Sequence, residues 1–203
     1  MKVFGHPLST CTRKVLTTLA ELGTPFEFTL VDFAKGEHKQ HPHLDRQPFG
    51  QVPAIDDDGF GLYESRAICR YLNEKAGGGL VPREARARAL MEQWISIETS
   101  NFTGHVMKFV YHHIFQRAQS DEVLAAAKAG VENTLAIMEK RLTEASYFAG
   151  ETFTLADISF MPYLEYGMGT PLKDVFAGYP HVMAWWGRVS ERPSWRKVSG
   201  RAS

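Results

Sequence analysis

A change of character near residues 77–82 limits the fold more than any other feature of the chain. Upstream of it short β-type runs alternate with helical patterns; downstream the strand signal disappears. Gly77-Gly78-Gly79 cannot hold a helix and Pro82 follows, so residues 77–82 read as a linker. Before it, Lys2-Val3-Phe4-Gly5 and Phe26-Glu27-Phe28-Thr29-Leu30-Val31 look like strands, the second alternating apolar and polar. Between them Val15, Leu16, Leu19, Ala20 and Leu22 recur at helical spacing, and Gly23-Thr24-Pro25 ends the run. A strand, helix and strand of these lengths form a unit whose two strands should be parallel. Val52-Pro53-Ala54-Ile55 and Gly61-Leu62-Tyr63 then flank the acidic turn Asp56-Asp57-Asp58-Gly59, and Ser65 opens a helix with Ala67, Ile68, Tyr71 and Leu72 on its apolar face. After Pro82, helical periodicity runs through 83–117, 121–145, 153–167 and 181–191, with no internal repeat of about 20–50 residues. The expectation is an α/β domain over 1–76 followed by an all-helical domain over 83–203.

Composition narrows the function. The 203 residues suit one or two domains. Lys+Arg is 23 and Asp+Glu is 23, so there is no basic excess to draw the chain to nucleic acid or an anionic membrane. Cys11 and Cys69 are too few for a disulfide framework and lack metal-ligand spacing. The N-terminal segment has no apolar signal-peptide core, and no stretch approaches about 18 uninterrupted apolar residues. A cytoplasmic protein without membrane or nucleic-acid partners is expected.

The chemistry-bearing groups cluster in the first domain. Ser9-Thr10-Cys11-Thr12-Arg13 sits where the first strand hands over to the first helix, and a helix N-terminus favours an anion. A hydroxyl there can donate to such an anion, although Ser9 or Thr12 can equally be a plain N-cap. In Pro48-Phe49-Gly50-Gln51-Val52-Pro53, a cis Val52–Pro53 bond would leave the Val52 N–H and C=O facing outward to dock an extended peptide; the alternative is an ordinary turn. Ser65, read as an N-cap, leaves N–H groups for a carboxylate, and Glu64 beside it suits an ammonium. His38-Lys39 lies in the polar stretch 34–44, either as a cationic loop or as solvated surface. Together these groups suit a short zwitterionic peptide carrying a thiol.

His6-Pro7-Leu8-Ser9 with Thr12-Arg13 and Val15, His38-Lys39, Gln47 before Pro48-Phe49-Gly50-Gln51-Val52-Pro53-Ala54, and Glu64-Ser65-Arg66-Ala67-Ile68 resemble a cytosolic glutathione S-transferase, closest to the serine-type phi class. Phe153-Thr154-Leu155-Ala156-Asp157 resembles the family's C-terminal helix signature, so the likeness spans nearly the whole chain. The resemblance implies a thioredoxin-like N-terminal domain, a homodimer, and glutathione as co-substrate with no other cofactor and no metal. It implies conjugation of the glutathione thiolate to small hydrophobic electrophiles, with peroxidase activity on organic hydroperoxides as a possible companion. Ser9 would be the catalytic hydroxyl. Val52, ahead of Pro53, would pair with the tripeptide backbone, Ser65 and Glu64 would hold the γ-glutamyl end, and His38, Lys39 and Gln51 would hold the glycyl carboxylate.

The stripe from Phe102 to Phe115 is dense in aromatics and Met, and Met107, Tyr111 and Phe115 are its candidates for an electrophile cleft, against core packing as the alternative. His112 and His113, adjacent on a helix, share no face and form no metal motif. Thr154 and Asp157 read as a capping box with Phe153 and Ile158 as its staple, so Asp157 is structural. Two rival functions remain open: a thiol transferase or dehydroascorbate reductase working through Cys11, and a non-catalytic module binding hydrophobic ligands.

Overall fold

The computed structural model describes residues 1–200, which form two compact units. The first comprises Met1–Gly79 and the described residues from Pro193 onward; the second is Leu80–Arg192. The division falls at the end of the glycine run, between Gly79 and Leu80. The residues from Pro193 onward, counted with the helical domain over 83–203 in the sequence reading, instead belong to the first unit.

In the first unit β1 (Lys2–Gly5) leads into α1 (Thr10–Leu22) and β2 (Glu27–Leu30). A 3-10 turn (Glu37–Lys39) and α2 (His43–Arg46) follow, where the sequence suggested only a polar loop. Asp32 and Glu37 organise that stretch: the Asp32 N–H donates to Glu37 Oε2 (2.8 Å), and Asp32 Oδ1 accepts the Ala34 N–H (2.8 Å). Then come β3 (Ala54–Asp57), β4 (Phe60–Tyr63), α3 (Ser65–Lys75) and, from the far end of the chain, α10 (Pro193–Ser199). The sheet order is β2-β1-β3-β4. β1 pairs parallel with β2 as the strand–helix–strand pattern requires, antiparallel with β3, and β3 antiparallel with β4.

Local chemistry explains the joints. α1 stops at Gly23, whose φ of +63° is left-handed, and the Thr24 N–H returns to the Leu19 carbonyl (3.0 Å) in a Schellman closure. Asp58 (φ +54°) and Gly59 (φ +91°) form the two-residue turn of the β3–β4 hairpin, matched to strand twist by their positive φ. The buried Asp57 carboxylate ties that hairpin to α3 through the Tyr71 hydroxyl (2.5 Å) and the Lys75 ammonium. These donors, Lys75 foremost, hold Asp57 below the usual carboxylate range. Val3, Val15, Leu19, Ala54, Ile55, Ile68 and Leu72 are buried as this unit's core. α10 lies against α1, with Ser194 Oγ donating to the Glu21 carboxylate and Trp195 fully buried. Burial of that one indole outweighs the sequence proximity of α10 to the helices before it.

The second unit contains α4 (Ala85–Ile97), a π turn (Glu98–Phe102), α5 (Thr103–His113), α6 (Asp121–Glu144), α7 (Leu155–Gly167), α8 (Leu172–Ala177) and α9 (Pro180–Ser190). The helical periodicity read through 83–117 is thus interrupted. The Thr134 hydroxyl on α6 donates to the Asn101 carbonyl within the π turn (2.8 Å), giving that carbonyl a partner. α7 is buried on nearly every face and lies at the centre. Its start is the capping box read from the sequence: the Thr154 hydroxyl accepts the Ala156 N–H (3.3 Å), and Asp157 accepts the Thr154 N–H (2.9 Å). Asp157 also accepts from Phe148 N (3.3 Å) and Trp185 Nε1 (2.9 Å), tying the cap to α9.

Candidate functional site

Strand directions decide where the candidate residues meet. With β1, β2 and β4 pointing one way and β3 the other, one end of the sheet carries the C-terminal ends of three strands and the N-terminal end of β3. Ser9 follows β1, His38 and Lys39 follow β2, Gln51, Val52 and Pro53 precede β3, and Glu64 and Ser65 follow β4. Topology therefore delivers all of them to that end.

Ser9 is the N-cap of α1, in extended conformation (φ −76°, ψ 124°), and its Oγ accepts the Thr12 N–H (3.2 Å). Among the described residues its hydroxyl proton has no acceptor. The cap uses a lone pair and leaves the donor over, so the cap reading and the donor reading of Ser9 coexist. Arg13 Nε donates to the Pro7 carbonyl (2.8 Å), bracing the turn that carries Ser9. Cys11 is the second residue of α1, within its first turn, and partly exposed. Cys69 is buried, with the Thr18 hydroxyl on its sulfur (3.2 Å), and burial pushes its thiol up to about 11.

The Val52–Pro53 bond is cis, as is His41–Pro42, which the sequence did not suggest. Val52 precedes the sheet register, which begins at Ala54, and among the described residues its backbone groups have no partner. The loop before it is held from below. Lys39 Nζ donates to the Phe49 carbonyl (2.9 Å), and Gln47 Oε1 accepts the Gln51 N–H (3.2 Å). His43 Nε2 lies 2.7 Å from the Gln51 carbonyl. Gly50 is required: its φ is +61°, and a Cβ would lie 2.6 Å from the His38 carbonyl oxygen. His38 packs edge-on against Phe33, which stacks on His6 (4.3 Å). Burial, and then electrostatic repulsion from Lys39 and the His43 ring, hold the His38 imidazole below its ordinary 6.5.

At the third corner a correction is needed. Ser65, expected as the N-cap of α3, is its first residue; Glu64 occupies the cap position with φ +71° and no side-chain cap bond. The positive φ turns the chain out of β4 one residue early, and a non-glycine residue held there is a local strain of the kind found at binding sites. Glu64 is exposed and Ser65 buried.

In the helical unit the aromatic stripe divides in two. Phe102, Val106, Phe109 and Val110 are buried in the core. Met107, Tyr111 and Phe115, spaced four apart, remain half-buried. Tyr111 packs against Phe115 (6.3 Å), and Phe115 against Tyr166 (5.8 Å). The sequence reading missed His43 and gave Gln47 a place in the resemblance but no role; their signal was spacing four apart on a short helix, visible only once that helix is placed. Among the described residues no group of three or more His, Cys, Asp or Glu is placed to hold a metal ion, and no helix is long and apolar enough to cross a membrane.

A thioredoxin-like sheet unit with a serine-capped first helix, joined to an all-helical unit, defines a class of thiol-tripeptide enzymes, and comparison with known proteins specifies it. Residues 1–74 match the glutathione S-transferase N-terminal domain family and residues 102–193 the glutathione S-transferase C-terminal domain family. Glutathione S-transferase F7 of Arabidopsis thaliana is 38% identical over 205 residues, covering 98% of this chain and 98% of that protein. The crystal structure of glutathione transferase F7 from Populus trichocarpa superposes with a TM-score of 0.93 at 35% identity, covering 98% and 97% of the two chains. Glutathione S-transferase I from mais, solved in complex with an atrazine glutathione conjugate, gives a TM-score of 0.90 at 33% identity over 98% and 96%. The chain belongs to the glutathione S-transferase family and is an enzyme of that class. Within the family it falls in the plant-type phi class, which uses glutathione as co-substrate.

Proposed function

We propose that the protein conjugates the glutathione thiolate to small hydrophobic electrophiles and that Ser9 is the group that ionises the thiol. The observation carrying this is the uncommitted hydroxyl proton of Ser9 at the N-terminus of α1. A free thiol of pKa about 8.5 is only a few per cent ionised at neutral pH, and a shift of about two units takes about 2.7 kcal/mol. One charge-assisted hydrogen bond supplies about 1.5–3 kcal/mol and a helix N-terminus about 0.3–1 more. Ser9 is thus a donor to the nucleophile and not itself the nucleophile.

The remaining residues bind. Val52 pairs through its free backbone groups with the glutathione cysteine. Ser65 at the start of α3 takes the γ-glutamyl carboxylate, with Glu64 near the ammonium, and His38, Lys39 and Gln51 face the glycyl carboxylate. The half-buried row Met107, Tyr111 and Phe115 offers apolar surface to the electrophile, Met for adaptability and the rings for stacking. The same thiolate would reduce organic hydroperoxides. The working form is a homodimer in the cytoplasm; a single-chain mass by light scattering at micromolar concentration would refute the dimer.

The test separates conjugation from its rival. Ser9→Ala is expected to lower turnover of a chlorodinitrobenzene-type electrophile at least about tenfold, the equivalent of about 1.4 kcal/mol, with Cys11→Ala near wild type. The reverse pattern moves the function to disulfide chemistry at Cys11. Retention on immobilised glutathione without turnover of any electrophile or peroxide leaves a binding module.

A further inference from the structure

The loop ahead of β3 is exposed and outside the sheet, yet its backbone is gripped by buried side chains. Gln51 is exposed and Val52 half-buried, while His43 and Gln47 are only 4% and 2% exposed. Both peptide groups of Gln51 are taken by side chains rather than by backbone. Its N–H goes to Gln47 Oε1 (3.2 Å) and its C=O to His43 Nε2 (2.7 Å). A carbonyl oxygen only accepts, so Nε2 carries the hydrogen. His43 and Gln47 stand four residues apart on α2 and its C-cap, on one face of a single helical turn. The Gln47 N–H itself returns to the His43 carbonyl (2.9 Å), and the Gly50 N–H to the Gln47 carbonyl (2.9 Å), so the grip is closed on itself.

We infer that His43 and Gln47 form a two-point clamp on the Gln51 peptide groups that positions the Val52 backbone for glutathione. The clamp touches neither the thiol nor the electrophile; these are positioning residues. The inference rests on the tripeptide-site reading above. An extended edge receives a peptide strand only if its N–H and C=O are already oriented, since ordering them on binding lowers affinity. With no sheet partner at Val52, that order comes from its two neighbours: buried Pro53, across the cis bond, and Gln51, which is held at both ends by α2. The clamp therefore acts on the glutathione KM and leaves the chemical step alone.

The experiment compares the full-length wild type with His43→Phe, which keeps ring volume and removes the donor, and His43→Gln, whose amide nitrogen restores it. Gln47→Met removes the other point of the clamp. His43→Phe and Gln47→Met are expected to raise the glutathione KM about fivefold, the ratio for one neutral hydrogen bond, with kcat and the electrophile KM unchanged and His43→Gln near wild type. Hydrogen exchange of the segment 49–53 should accelerate in the same two variants. Where His43→Phe does not fold, Gln47→Met reads the same quantities. Faster exchange with an unchanged glutathione KM makes the contacts merely structural and overturns the inference. Unchanged exchange and KM in a catalytically active background also overturn it, while leaving the Ser9 reading intact. A wild type without saturable glutathione turnover removes both.

Discussion

Replacing Asp157 should destabilise the protein without touching its chemistry, and the size of the effect follows from the donors it serves. Its fully buried carboxylate receives Thr154 N (2.9 Å), Thr154 Oγ1 (3.1 Å), Phe148 N (3.3 Å) and Trp185 Nε1 (2.9 Å). Asp157→Ala strands two backbone N–H groups and an indole N–H, each costing about 1–3 kcal/mol before relaxation. Allowing for partial relaxation, the loss is about 4 kcal/mol, a large part of a typical stability of about 5–15 kcal/mol, and about 8–16 °C in Tm. Asp157→Asn keeps the shape and one acceptor oxygen but faces an NH2 toward donors, so about half that cost is expected. The pH dependence has a definite sign. Burial pushes Asp157 up to about 6 from 3.8, against the pull of its donors. The stabilisation is therefore full below the unfolded value and lost as pH rises through about 6, a swing of about 3 kcal/mol that Asp157→Asn lacks. Urea unfolding followed by tryptophan fluorescence should give an Asp157→Asn cost that shrinks between about pH 5 and pH 7.5. A cost independent of pH across that window refutes the burial argument. A fall in kcat for folded variant protein refutes the structural assignment itself.

Two further outcomes rest on the helical unit. Glu139 on α6 caps α9, accepting the His181 N–H (3.0 Å), the Val182 N–H (3.0 Å) and the His181 ring (2.6 Å). Burial pushes the Glu139 carboxyl up, but the His181 and Val182 donors outweigh it and the net shift is downward. Its contribution is therefore present above 4.5 and lost as pH falls below it, so Glu139→Ala should cost about 2 kcal/mol at neutral pH and progressively less in acid, read from urea midpoints. At Gly130 a Cβ would lie 2.4 Å from the His105 ring, where α5 meets α6. Gly130→Ala displaces the tip of the half-exposed His105 ring against a gain of about 1 kcal/mol in helix propensity, so its net change should stay within about 1 kcal/mol and should become more stabilising in a His105→Ala background; additive changes in calorimetry would refute the close approach.

What was legible in the sequence follows from how local each signal is. Alternation in Phe26–Val31, apolar spacing in α1 and the glycine run gave the first unit's elements, because each is written within a few residues. The Thr154–Asp157 box was legible for the same reason. The cap position of α3 was not, since Glu64 is a residue with no left-handed preference, and its φ of +71° is imposed by the joint between β4 and α3. The partnership of α10 was hidden because a seven-residue helix carries an apolar face without naming what covers it. The Phe102–Phe115 stripe read as dense in aromatics and Met, fit for a cleft or for core; only packing separates the core residues Val106, Phe109 and Val110 from the row Met107, Tyr111 and Phe115. His43 reads in sequence as one more polar residue of a charged stretch, and only placement under the Gln51 carbonyl gives it a task.

Ser9 shows why the structural and the chemical readings of one residue need not compete. A serine hydroxyl has two lone pairs and one hydrogen, and an N-cap consumes a lone pair alone. Capping by Asp or Asn would satisfy Thr12 N equally well, yet Asp brings a charge that repels a thiolate, and Asn bonded through its carbonyl leaves an amide N–H as the weaker neutral donor. Thr would keep the hydroxyl but add a methyl beside the sulfur. The cap bond from Thr12 (3.2 Å) also fixes where Oγ sits, so its hydrogen is directed by a contact that folding has already made. Orientation that would otherwise cost entropy at each binding event is thus supplied by the helix end itself, and removal of the hydroxyl should lower turnover and, with the lost cap, stability by about 1 kcal/mol.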